Sequence, residues 1–194
     1  MNFIFDIGNV LISFKPVSFL SGLFPEEQTI HKLNELIFLG PEWVQLDLGV
    51  LDVKEAFDIF SASEPGLQAE INIVLQNIDC LFVPMSETIK LLPEIRNAGH
   101  NLYYLSNLPL MFRDSFLKEY RFFDLFDGGV FSCEIHVTKP SPGIYRRLLT
   151  KYSLTPGECV FVDDVVENVA AAINEGINSV LFTGIDSVTK LYLK

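Results

Sequence analysis

Short apolar runs, each closed by a polar residue, alternate along most of this chain with longer stretches whose apolar positions recur every three to four residues. The first run, Phe3-Ile4-Phe5, is too short for a helix and rich in strand-favouring side chains. Asp6 closes it. Gly8 and Asn9 follow, and both tolerate unusual backbone angles. Residues 102–105, 129–131, 159–162 and 179–182 repeat the pattern and are predicted strands. Between them lie helical patterns at 85–98, 110–120 and 167–175, the first closed by Gly99 and the last by Gly176. Pro93 is expected to kink the first of these. Ser141 and Pro142 open a further helix whose buried stripe is Ile144, Leu148, Leu149 and Tyr152. A short helix should end the chain.

Alternation of this kind predicts an α/β fold with a Rossmann-like, doubly wound and mainly parallel sheet, covered by helices on both faces. Residues 15–82 break the alternation. They carry helical patterns around Leu33, Leu36 and Ile37, around Ala56, Phe57 and Phe60, and around Ile71, Val74, Leu75 and Ile78. Prolines and glycines separate them. We therefore expect a four- or five-helix insert without a strand of its own, leaving residues 1–14 and 83–194 as the α/β core.

Composition narrows the function. Apolar residues make up 49% of the 194 and charged residues 20%, which describes a packed protein and not a disordered one. The formal net charge of -11 argues against nucleic acid and against an anionic membrane surface as partners. Cys80, Cys133 and Cys159 are widely spaced and adjoin apolar runs, so all three read as small buried hydrophobes in a reducing compartment. No basic, uninterrupted apolar leader opens the chain and no apolar run is long enough to span a bilayer, so a cytoplasmic location is expected.

The polar residues that close the runs carry the candidate chemistry. They are Asp6, Ser106, the loop bearing Lys139, and Asp163-Asp164. Ligands of an open parallel sheet bind at the carboxyl ends of its strands. Carboxylates with a backbone carbonyl suit Mg²⁺, and a serine hydroxyl with a lysine ammonium suits phosphate oxygens. A carboxylate beside the phosphorus can act as nucleophile. Taken singly, each residue reads as a turn or cap; four in order and in strand context do not.

Those four segments, Phe5-Asp6-Ile7-Gly8-Asn9-Val10, Leu105-Ser106-Asn107, Thr138-Lys139-Pro140 and Val162-Asp163-Asp164 with Glu167-Asn168, resemble the motifs of the haloacid dehalogenase superfamily. The insert stands where a helical-cap subgroup carries its cap. The Asp-x-Gly-Asn first motif resembles a sugar-phosphate phosphatase branch that includes glucose-1-phosphate phosphatases. The resemblance implies Asp6 as nucleophile and Mg²⁺ ligand, the Gly8 carbonyl and Asp164 as further ligands, and Asp163 close by. It implies Ser106, Asn107 and Lys139 as holders of the phosphoryl group. The expected activity is hydrolysis of a small phosphorylated metabolite, such as a sugar phosphate, through an aspartyl phosphate.

Most phosphatases of the family have a second Asp where this chain has Gly8. Its absence removes the group that protonates the leaving oxygen. His136 is the first candidate to replace it. Two other readings follow from the same gap: a protein that binds a phosphorylated ligand without efficient turnover, and a haloacid dehalogenase, which works without Mg²⁺ and does not keep the paired acids. In the insert, Phe19, Phe24, Phe38 and Trp43 are candidate substrate contacts, with Glu42, Gln45 and Asp47 as partners for substrate hydroxyls. Lys15 lies near enough in sequence to meet a phosphate.

Overall fold

The first apolar run becomes the middle of the molecule. The computed structural model describes residues 1–192, and its strands are β1 (Asn2–Phe5), β2 (Ile12–Phe14), β3 (Phe82–Pro84), β4 (Asn101–Ser106), β5 (Gly128–Phe131), β6 (Cys159–Asp163) and β7 (Asn178–Leu181). Five of them form one parallel sheet in the order β5-β4-β1-β6-β7. The chain winds outward from β1 in one direction through β4 and β5, then in the other through β6 and β7. The reversal leaves a crevice at the carboxyl end of β1, where Asp6 lies.

Strands buried on both faces need apolar side chains in both directions. Phe3, Phe5, Leu102, Val160 and Val162 join one apolar cluster; Ile4, Tyr103, Leu105, Cys159 and Phe161 join the other. Twelve α-helices flank these strands among the described residues. Five lie in the insert: α1 (Pro16–Leu23), α2 (Glu27–Leu33), α3 (Pro41–Asp47), α4 (Val53–Ser63) and α5 (Gln68–Gln76). The others are α6 (Ser86–Ile89), α7 (Leu91–Asn97), α8 (Leu110–Glu119), α9 (Ser132–Ile135), α10 (Pro142–Tyr152), α11 (Val166–Asn174) and α12 (Ile185–Tyr192). Leu92 and Ile95 of α7 and Val188 of α12 complete the first cluster. Ile144, Tyr145 and Leu148 of α10 and Ala172 of α11 complete the second.

Three expectations change in detail. The helix expected over 85–98 is two, α6 and α7, broken at Lys90. Pro93 explains the break, because its ring excludes the carbonyl four residues back, at Ile89, the last residue of α6. Cys80 is exposed, whereas Cys133 and Cys159 are buried. The turn Ile78–Leu81 directs Ile78 and Leu81 inward and leaves Cys80 outside. The insert also enters and leaves through an antiparallel ribbon, β2 with β3, that pairs Phe14 with Phe82. Among the described residues no helix is long and apolar enough to cross a membrane.

Candidate active site

Sheet register brings the polar run-ends together. Phe5 is level with Val162, so the next residues, Asp6 just past β1 and Asp163 at the end of β6, sit side by side. The Asp6 N–H donates to the Val162 carbonyl at 2.9 Å, holding the Asp6 backbone to β6. Ser106 ends β4 on the other flank of β1. Lys139 arrives from the loop after α9. Asn107 clamps that loop: its Oδ1 accepts from Lys139 N at 2.8 Å, and its Nδ2 donates to Lys139 O at 3.1 Å. Lys139 Nζ then stands 2.7 Å from Asp6 Oδ1 and 2.7 Å from Asp163 Oδ2, with all three side chains buried.

Asp163 is satisfied from the protein side. Its Oδ1 accepts from Val165 N at 2.8 Å and Asn168 Nδ2 at 3.0 Å, and its Oδ2 from Lys139. Asp164 is less buried and lines the cavity, and the neighbouring Asn9 side chain favours its charged form. Asn9 adopts φ 52°, a conformation asparagine tolerates, and its Oδ1 accepts from Phe14 N at 2.9 Å.

The electrostatics leave room for a cation. Burial pushes the Asp6 carboxyl up to about 7, against the pull of Lys139 and with the push of Asp163. Burial and the Asp163 charge also raise Asp164. Burial penalises the Lys139 ammonium, but Asp6 and Asp163 outweigh it and raise its pKa. Carboxylate oxygens of Asp6, Asp163 and Asp164 lie within 4.8 Å of one another, and one ammonium neutralises only part of their charge. Hard oxygens with an excess of two negative charges fit a divalent hard cation such as Mg²⁺.

The cavity over this cluster has a volume of about 210 Å³. Asp6, Gly8, Ser106, Asn107, Lys139 and Asp164 line its floor. Trp43 lines it from the insert, where it is packed against Phe38 and Phe14 at ring separations of 5.0 and 5.6 Å. Asp47 lines it too. Phe19, Phe24, Phe38, Glu42 and Gln45 do not, and Lys15 faces a different cavity. His136 does not reach the site. It is exposed, and its Nδ1 donates to the Leu48 carbonyl at 2.8 Å. Sequence reasoning gave no role to Asn9 or Asn168, and passed over Phe14, Phe82 and Phe116, which also line the cavity. Phe14 and Phe82 had a faint signal: each is an aromatic at one end of the insert.

The haloacid dehalogenase-like hydrolase family pattern matches residues 1–176. The chain belongs to that family. This haloacid dehalogenase-like hydrolase is 27% identical over 170 residues to the sesquiterpene phosphatase astK of Aspergillus oryzae, covering 87% of this chain and 83% of that one. In fold it is similar to a haloacid dehalogenase-family enzyme of Bacteroides thetaiotaomicron crystallised with magnesium and inorganic phosphate, with a TM-score of 0.76 at 21% identity and 98% of both chains covered. It is also similar to the L-2-haloacid dehalogenase of Xanthobacter autotrophicus with chloropropionic acid covalently bound, with a TM-score of 0.67 at 16% identity over 99% of this chain and 82% of that one.

Proposed function

We propose that this hydrolase is a Mg²⁺-dependent phosphomonoesterase that forms an aspartyl phosphate on Asp6, with residues 15–82 as its cap. The carrying observation is the junction of Asp6 with Lys139 and with the Asp163-Asp164 pair at one sheet edge. Asp6 Oδ1 is taken by Lys139 and by the Ile7 N–H at 2.6 Å, so the other oxygen is the one assigned to attack. That oxygen attacks phosphorus. Lys139 and the Ser106 hydroxyl hold the phosphoryl oxygens as charge shifts onto them. Asp6, the Gly8 carbonyl and Asp164 would hold the Mg²⁺, which, when bound, offsets the repulsion between a carboxylate and an anionic ester. Asp163, with both oxygens engaged, positions Lys139 and does not ligate directly.

The cavity wall bears on the substrate. Phe14, Trp43, Phe82 and Phe116 present aromatic surface, and among the described residues Asp47 is the one ionisable side chain there that the insert supplies. Sugar hydroxyls buried against such a wall would lose their hydrogen bonds at roughly 1–3 kcal/mol each. The wall favours the phosphate ester of a mainly apolar alcohol over the sugar phosphate expected from the first motif. The named activity of the Aspergillus relative agrees with that preference. The paired acids disfavour the dehalogenase reading, and an equipped nucleophile disfavours a pure binder.

The test is phosphate release from a panel of alkyl, aryl-alkyl and hexose phosphates with Mg²⁺. Asp6→Asn should abolish release while keeping the circular dichroism of the parent. Substantial turnover in that variant refutes the mechanism, and hexose phosphates at the top of the panel refute the substrate class.

A further inference from the structure

We infer that Asp47, at the carboxyl end of α3 in the cap, is the proton donor to the leaving oxygen and then the base for the hydrolytic water. The inference rests on the phosphatase reading above. Position 8, where most relatives carry the acid, is empty of side chain, and nothing lies within 4 Å of where a Cβ there would stand. The cavity therefore needs its acid from elsewhere. Among the described residues its lining contains three carboxyl groups: Asp6, Asp164 and Asp47. The first two belong to the nucleophile and the metal site. Histidine, cysteine and tyrosine are absent from that lining.

Asp47 is also held in place. Its carbonyl accepts from the Ser132 hydroxyl of α9 at 2.5 Å, and the same hydroxyl accepts from Leu108 N at 3.0 Å. His136 fastens the next carbonyl, at Leu48. Gly49 follows at φ 65°, where a Cβ would come within 2.8 Å of the Cys133 carbonyl, so only glycine lets the chain pass this close to the core. Three consecutive residues of the cap are thus pinned to the core beside the site. Burial keeps the Asp47 carboxyl protonated up to about 7, with Lys139 pulling the other way.

The step balances without any further reagent. Asp6 attacks phosphorus, the ester P–O bond breaks with its electron pair on the alcohol oxygen, and the Asp47 proton passes to that oxygen. Asp47, now a carboxylate, takes a proton from water as the water attacks the aspartyl phosphate. The P–O bond to Asp6 breaks, releasing phosphate and restoring both groups.

Leaving-group dependence tests this. Asp47→Asn is mixed rapidly, with Mg²⁺, with p-nitrophenyl phosphate and with 2-phenylethyl phosphate, and phosphorylation of Asp6 is followed. Nitrophenolate leaves without a proton, so its burst should keep nearly the wild-type rate and then stall for want of a base. The alkyl ester should phosphorylate Asp6 about 10²- to 10⁴-fold more slowly than in the wild type. Equal losses for the two esters, an unchanged alkyl rate, or an effect confined to KM overturns the assignment. Folding is read from circular dichroism, and Asp47→Ser replaces Asn if that check fails. A wild-type protein that forms no phospho-Asp6 from either ester overturns the underlying reading as well.

Discussion

Replacing Asp47 by Asn should make the protein more stable, and increasingly so as pH rises. Asp47 carries a carboxyl raised from 3.8 to about 7, chiefly by burial and against the attraction of Lys139. A folded-state value above the unfolded one means that the folded protein binds the proton more tightly. Stability from this group is therefore complete below about pH 4 and is lost as pH climbs through 7. Three units correspond to about 4 kcal/mol at full deprotonation. By the same linkage relation, roughly 2 kcal/mol of it is already lost at pH 5 and nearly all by pH 8. Asparagine has a similar shape and never ionises. Urea denaturation of both proteins in Mg²⁺-free buffer at pH 5, 6, 7 and 8 should give a stability gap that favours Asn and widens by about 2–3 kcal/mol over the series. A gap that is flat with pH, or that favours the wild type at pH 8, would refute the claim that this carboxyl is held in a desolvated wall.

Other perturbations have equally definite outcomes. Lys139→Met leaves the Asp6 and Asp163 carboxylates buried without their cation, and should cost about 3–5 kcal/mol in metal-free urea denaturation. Mg²⁺ at a hundred times its Kd should stabilise the wild type by about 2.7 kcal/mol in a thermal shift assay, and Asp164→Asn should lose most of that gain. Ser132→Ala removes the hydroxyl shared by Leu108 N and the Asp47 carbonyl; stability should fall by about 1–3 kcal/mol, with kcat falling more than KM rises in steady-state assays. Gly8→Asp added to Asp47→Asn should recover part of the lost kcat on an alkyl phosphate, because space for that side chain is open.

The sheet and its polar ends were legible because both follow from short-range rules. A run such as Phe3-Ile4-Phe5 states its burial on both faces, and a parallel sheet places every run-end on one edge. That is enough to bring Asp6, Ser106, Lys139 and Asp163 together before any distance is known. The roles of Asn9, Asn107 and Asn168 were not legible in the same way. Asn107 works across 32 residues, to Lys139, and Asn9 and Asn168 brace their neighbours across five, but an asparagine in a turn has the same sequence appearance as one that braces a site. His136 shows the opposite error. The sequence offered it as the replacement acid, but its ring bonds the Leu48 carbonyl of the insert. Asp47 was visible as a polar residue of the insert. Its meaning depends on how α3 meets α9, a contact between segments some 85 residues apart.

The location of the acid changes how the cycle is controlled. An acid on the loop after β1 would be in place whether or not the cap covers the site. An acid on α3 is in place only while the cap is docked through Ser132, His136 and Gly49. Under this proposal closure would do two things at once: shut water out during phosphoryl transfer and deliver the proton that transfer needs. Binding energy between the aromatic wall and the alcohol part of the ester is spent on assembling the site, so an ester too small to touch Phe14, Trp43 and Phe82 should lose kcat and not only affinity. Methyl phosphate, which has the same kind of leaving group but almost no apolar tail, should turn over more slowly than 2-phenylethyl phosphate at saturation. Equal kcat values for the two would show that the cap closes without help from the substrate, and would separate the position of Asp47 from any role of the wall in bringing it there.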